Sequence, residues 1–195
     1  MLKGKIIKGD IQAGTKLVEN EIAAQFNISR TPVREAINRL KAEGLATANP
    51  RKSVIVEEFN DKDIGHICKL RAALEKLALE SALENWTDTD TQFLKEAAEK
   101  AWVAYLEGKT EVSYEFDNMF HLYIAERSEN KFLLSTLKGI IDYIQLSRYR
   151  GCITKEHVST SMKEHMDIVS AFKEKSFDKI WDLLCRHIHR ALKKE

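Results

Sequence analysis

The stretch IAAQFNISRTPVREAINRLKAEG, residues 22–44, decides how the rest of the chain is read. Ile22, Ala23 and Phe26 set apolar groups at helical spacing, Asn27 to Arg30 interrupt them, and a second helix opens at Thr31-Pro32. Thr31 is placed to cap that helix, with Pro32 at its first position, where a missing N–H costs nothing. Gly44 stands where a helix end favours a left-handed residue, so the second helix is expected over residues 31–43. The pattern is helix, short turn, helix.

Val33, Ala36, Ile37 and Leu40 form the inward stripe of the second helix, which leaves Arg34, Asn38 and Lys41 on a polar, basic face. Arg30 just ahead of the helix, Thr31 at its start and Arg34 in its first turn stand where a helix entering the DNA major groove contacts bases and phosphates. A solvated helix also shows a basic face, and the next residues weigh against that plainer reading. Leu45–Ala48 and Val54–Val56 read as two short strands around the turn-forming Asn49-Pro50-Arg51-Lys52-Ser53. Such a hairpin, or wing, would carry Arg51 and Lys52 to the DNA backbone or minor groove.

The 195 residues suit two small domains, each with a core of its own. The net charge of +1 hides an asymmetry. Residues 1–56 hold ten Lys or Arg against five acids, a surplus of five, so the remainder carries −4. A basic head on an acidic body is expected where only the head meets phosphates. Cys68, Cys152 and Cys185 are widely spaced and suggest neither a disulfide framework nor a cysteine zinc site. With no apolar run able to span a bilayer and no signal-peptide pattern, a cytoplasmic protein with no membrane partner is expected.

Both prolines fall in the first 50 residues, so the rest reads as long helices. Asn60, followed by Asp61 and Asp63, marks a helix start, and the domain boundary is placed at residues 58/59. Helices are expected near residues 61–85, 88–108, 111–128, 130–150, 155–174 and 177–194. The fold class is mainly α, a winged helix-turn-helix over 1–58 followed by an antiparallel all-helical bundle over 59–195.

Ser29-Arg30-Thr31-Pro32-Val33-Arg34-Glu35-Ala36 resembles the GntR family of DNA-binding regulators. The likeness extends to Gly14-Thr15-Lys16-Leu17 and Glu21-Ile22-Ala23 before it, and to Arg39-Leu40 and Glu43-Gly44-Leu45 after it. The resemblance implies that Arg30 and Arg34 are DNA contacts. Ser53 stands where the family's wing usually carries glycine, which implies a different turn at the tip.

In the body, Asp117 and His121 share one face of a helix among Phe116, Phe120 and Ile124. His165 lies on a stripe with Ile168, Val169 and Phe172, and His187 on one with Ile180, Leu183, Leu184 and Ala191. One Asp and three His facing inward from three helices supply oxygen and nitrogen ligands for a divalent cation, or else form a hydrogen-bonded polar core. His189 should face solvent, and His66 and His157 have no evident partner. The body resembles the C-terminal (FCD-type) domain of the family's FadR subgroup, an antiparallel bundle of six or seven helices around an effector cavity. That likeness rests on Arg71-Ala72-Ala73-Leu74-Glu75, Asp117-x-x-x-His121, Glu164-His165 and His187-Ile188. It implies a metal held by Asp117, His121, His165 and His187, zinc first, with nickel and manganese as alternatives.

Arg71 falls on the apolar stripe of Ile67, Leu74 and Ala78 and needs an anion, either Glu75 one turn along or a ligand. A divalent ion with Asp117 as its one anionic ligand keeps a charge of about +1, to which Arg71 adds, so a small organic acid is the expected effector. The expected protein is a homodimer that sets two heads on a pseudo-palindromic DNA operator and answers to that acid, as a repressor of a metabolic operon. A metal-dependent hydrolase is the rival, but no catalytic base accompanies the cluster; Glu164 is turned about 100° from His165. A regulator without metal is the other alternative.

Overall fold

The computed structural model describes residues 2–48, 53–149 and 155–190, which divide into two units. One is Met1–Asn60 with Gln145–Arg150, the other Asp61–Ile144 with Gly151–Glu195.

The first unit runs α1 (Leu2–Lys8), α2 (Glu19–Phe26), α3 (Arg30–Ala42), β1 (Ala46–Ala48) and β2 (Val54–Val56). α2 stops at Asn27, which takes a left-handed conformation (φ 52) that asparagine tolerates better than most residues. The Ile28 N–H then turns back to the Ala23 carbonyl at 3.0 Å, satisfying a helix-end acceptor. The turn is shorter than the sequence suggests. Ser29 takes the N-cap position, with no side-chain capping bond, and Arg30 is the first residue of α3. Thr31 is therefore inside the helix and not its cap. Pro32 permits this because none of the first four N–H groups of a helix has an intrahelical partner, so its ring fits one residue further in. Val33, Ile37 and Leu40 are buried, with Ala36 half-buried beside them, and Gly44 is left-handed (φ 70), as expected.

β1 and β2 pair antiparallel with Ala46 opposite Val56 and Ala48 opposite Val54. The motif Gly14-Thr15-Lys16-Leu17 covers the other edge of β2. The Leu17 N–H donates to the Val54 carbonyl at 2.8 Å, and the Val56 N–H donates to Thr15 at 3.0 Å. Gly14 enters this ladder at φ 77, which explains why glycine stands there. The tip of the hairpin, including Arg51 and Lys52, lies outside the described residues.

The second unit is helical: α4 (Asp61–Ala82), a 3-10 turn at Leu83–Asn85, α5 (Asp88–Leu106), α6 (Thr110–Arg127), α7 (Lys131–Ser147, of which Gln145–Ser147 fall in the first unit), α8 (Lys155–Glu174) and α9 (Phe177–Arg190). α4 thus ends before the expected residue 85, and Trp86 follows its 3-10 turn into the core, stacked on Phe172 at 4.3 Å. α5 starts with a capping box, Thr87 with Asp90. It buries Leu94, Ala97, Ala98, Ala101 and Ala104, a stripe of small residues that admits α6 and α8 close on either side. α4 packs on α6 and α9, and α8 on α9. The faces that carry the sequence's histidines are thereby turned toward one another around Phe120 and Phe172. No helix among the described residues is long and apolar enough to cross a membrane.

Candidate metal centre and nucleic-acid interface

On α3, Arg30, Thr31, Arg34, Asn38 and Lys41 are all exposed, as a reading face requires. Arg30 and Arg34 converge on one carboxylate that no local sequence pattern pairs with them. Glu19, the first residue of α2, accepts from Arg34 Nε at 3.0 Å and from Nη2 at 3.0 Å, while Arg30 Nη2 stands 3.5 Å away. The Arg34 hydrogen bond and charge hold the Glu19 carboxyl below its ordinary range.

In the body, Asp117 and His121 come from α6, His165 from α8 and His187 from α9, and all four are buried. The three Nε2 atoms form a triangle: His121 to His165 3.3 Å, His165 to His187 3.2 Å, His187 to His121 3.2 Å. Asp117 Oδ1 stands beside it, 3.8 Å from His165 Nε2.

Behind two of the rings stand carboxylates. Glu75 of α4, fully buried, faces His121 Nδ1 at 2.8 Å and accepts from Arg71 Nε at 2.5 Å. Glu164 of α8 faces His187 Nδ1 at 2.8 Å and is gripped by Arg190 through Nε and Nη2, each at 2.8 Å. Burial alone would raise the Glu75 carboxyl, but Arg71 and His121 outweigh it and hold it down to about 2. Glu164 is likewise held at about 2, where His187 and Arg190 outweigh burial. Burial, helped by the Arg71 charge, pushes His121 down to about 4, and burial together with His187 lowers His165 well below the ordinary imidazole value.

These states fix the tautomers. An ionised carboxylate only accepts, so His121 and His187 each carry a proton on Nδ1, and Nε2 of each ring is the atom turned to the triangle. Three imidazole nitrogens within 3.3 Å of one another offer a cation a set of converging donors. A cation at roughly 2.0 Å from each of three nitrogens in tetrahedral directions would set them roughly 3.3 Å apart, which this triangle matches. His121, His165 and His187 could therefore hold a metal ion.

Arg71 meets Glu75, as one of its two readings has it, and the Asp117 charge acts on it as well. Glu164, turned away from the ring of its neighbour His165, serves the ring of His187 on another helix. The local signal for that was weak: only the i, i+3 spacing of His187 and Arg190 hints at a shared partner. His189 is half-buried, its Nδ1 donating to the Cys185 carbonyl at 2.8 Å one turn back, and His66 is exposed.

Residues 1–56 match the model of the gntR family of bacterial regulatory proteins, and residues 66–190 match that of the FCD domain. The Nta operon transcriptional regulator of Aminobacter aminovorans is 29% identical over 91% of this chain and 82% of its own. The gluconate operon transcriptional repressor of Bacillus licheniformis is 28% identical over 97% of this chain and 78% of its own. McbR/YncC of E. coli, a solved structure 25% identical, shares the fold with a TM-score of 0.80 over 97% of this chain and 90% of that one. With the gntR model matched over residues 1–56 and the FCD domain over residues 66–190, the chain belongs to the gntR family and is a DNA-binding transcriptional regulator, not an enzyme.

Proposed function

We propose that the chain is a metal-dependent repressor of a metabolic operon, with residues 1–58 reading the operator and residues 59–195 sensing a small carboxylate. The observation that carries this reading is the buried triangle of histidine Nε2 atoms beside Asp117, two of them oriented by carboxylates. His121, His165, His187 and Asp117 hold the ion, which is zinc, with nickel and manganese as the other candidates for such a donor set. When bound, the ion supplies a Lewis-acidic centre for a carboxylate oxygen.

Arg71 and Arg190 offset Glu75 and Glu164, so a divalent ion with Asp117 leaves the cluster at about +1, a charge that favours an anion. Arg71 adds a guanidinium to which a second carboxylate oxygen can bond. In the head, Arg30, Thr31, Arg34 and Asn38 meet bases and neighbouring phosphates, while Lys41, Arg51 and Lys52 meet the backbone. Two copies paired as a homodimer would set two such heads on a palindromic site, and the names of the operon regulators among the relatives support the repressor role. Such a protein works in the cytoplasm.

The test is capture of genomic DNA fragments by the metal-loaded chain, followed by a panel of mono- and dicarboxylic acids. A few fragments should be retained and then released by one class of acid, and release should vanish after chelation combined with Arg71→Ala. Release that survives both changes would refute the carboxylate site.

A further inference from the structure

Glu19 is a misfit on a surface that meets DNA. A carboxylate beside Arg30 and Arg34 repels phosphates and cancels cationic charge where a polyanion is to bind. Its geometry accounts for its presence. Glu19 engages Arg34 from the side, through Nε and Nη2, both oxygens taking part: Nε lies 3.0 Å from Oε1 and 3.3 Å from Oε2. A guanidinium has a second edge, the parallel N–H pair of Nη1 and Nη2, and a side-on carboxylate does not use it. That pair is the fork that fits O6 and N7 of guanine. Glu19 itself is positioned by α2, where an acid in the first turn is favoured by the helix dipole.

We infer that Glu19 is a specificity-determining residue, which holds the Arg34 guanidinium edge-on so that its free fork reads a guanine in the operator. The inference rests on the reading of α3 as the DNA-contacting helix. Because the carboxylate repels phosphates while it orients the reader, its removal acts in opposite directions on two quantities. Affinity for DNA of arbitrary sequence rises, since a negative charge leaves the interface. Preference for the guanine falls, since a freed arginine must give up rotamer freedom on contact and can turn to a phosphate or another base instead.

The experiment uses the full chain as wild type, Glu19→Gln, Glu19→Ala and Arg34→Ala, each checked by thermal unfolding. Each selects from a pool of random duplexes, and its affinity is then measured for the wild-type site and for a scrambled duplex. Both Glu19 variants should bind the scrambled duplex more tightly than wild type and discriminate guanine at one position roughly three- to tenfold less well. Arg34→Ala should lose discrimination at that same position. If the Glu19 variants gain equally on both duplexes, or select the same bases with undiminished preference, Glu19 only repels and the inference is overturned. If Arg34→Ala itself selects as wild type does, the reading of α3 fails and takes the role of Glu19 with it. Loss in Arg34→Ala with full preference in the Glu19 variants refutes the Glu19 role alone.

Discussion

Two charged clusters, one in each unit, are built from the same ions in opposite surroundings. In the body Arg71 is 4% exposed and Glu75 and His121 not at all, whereas in the head the side chains of Arg30, Arg34 and Glu19 are 60%, 58% and 28% exposed. Water screens the head cluster, so its bonds contribute little to stability and serve to orient side chains that remain open to DNA. The body cluster has no water to fall back on, and each member is tolerable only because its neighbour is present. Stability should therefore reside in the buried set and recognition in the exposed one.

The strongest way to break this comparison is Glu75→Ala. It leaves Arg71 without its carboxylate and His121 without its orienting acceptor, so metal-free protein should lose about 3–5 kcal/mol of unfolding free energy in a urea titration. Glu19→Ala, made in parallel, should leave the unfolding midpoint where it is. A midpoint unchanged in both would mean that burial does not separate the two clusters.

Glu164→Gln is the next largest. An amide can turn its NH2 group toward His187 Nδ1, so the ring loses its preferred tautomer while its volume is kept. Metal affinity, measured by competition with a chelator, should weaken roughly 10- to 100-fold. Binding of metal-free protein to arbitrary DNA should not change.

Asp90 sharpens the comparison through pH. Its carboxylate accepts from the Thr87 N–H at 2.8 Å, the Thr87 hydroxyl at 2.6 Å and the Tyr123 hydroxyl at 2.7 Å, with Arg127 3.1 Å away. Burial would raise its pKa, but the Thr87 and Tyr123 hydrogen bonds and Arg127 outweigh that and set it below the ordinary 3.8. A folded-state value below the unfolded one means that the unfolded chain binds the proton first. The stabilisation is therefore complete above the ordinary value and is lost as pH falls through the lower, folded-state one. Asp90→Asn should be less stable than wild type by about 1–2 kcal/mol near neutrality, and the gap should close as the pH falls below 4. A gap that stays constant with pH would show that the charge of Asp90 contributes nothing.

The smallest effect belongs to the head. Lys41→Ala should weaken binding about equally on selected and scrambled DNA and reduce the salt dependence by roughly one ion. Loss confined to the selected site would make Lys41 a base reader.

The sequence was legible where one helix carries its own evidence. Asp117 and His121 are four apart, and Val33, Ile37 and Leu40 mark the buried side of α3, so the inward and outward faces follow from helical period alone. The histidines of α8 and α9 were legible as inward-facing for the same reason, and the family motifs joined them into one site. What stayed hidden is pairing across elements. Glu19 reaches an arginine 15 residues away, and Glu75 a histidine 46 residues away. Neither spacing recurs in any local pattern; the partner depends on how two helices cross and which rotamers that leaves. Thr31 was misplaced for a different reason, since a proline fits more than one position in a first turn and does not by itself mark the cap.

The decisive measurement is metal uptake by the 195-residue chain, stripped of metal and titrated with zinc. The wild type should hold one ion tightly per chain, and His165→Ala, whose ring meets both other histidines at the triangle, should lose it. Uptake that fails to reach one ion per chain, or that is the same in His165→Ala, would contradict the metal site.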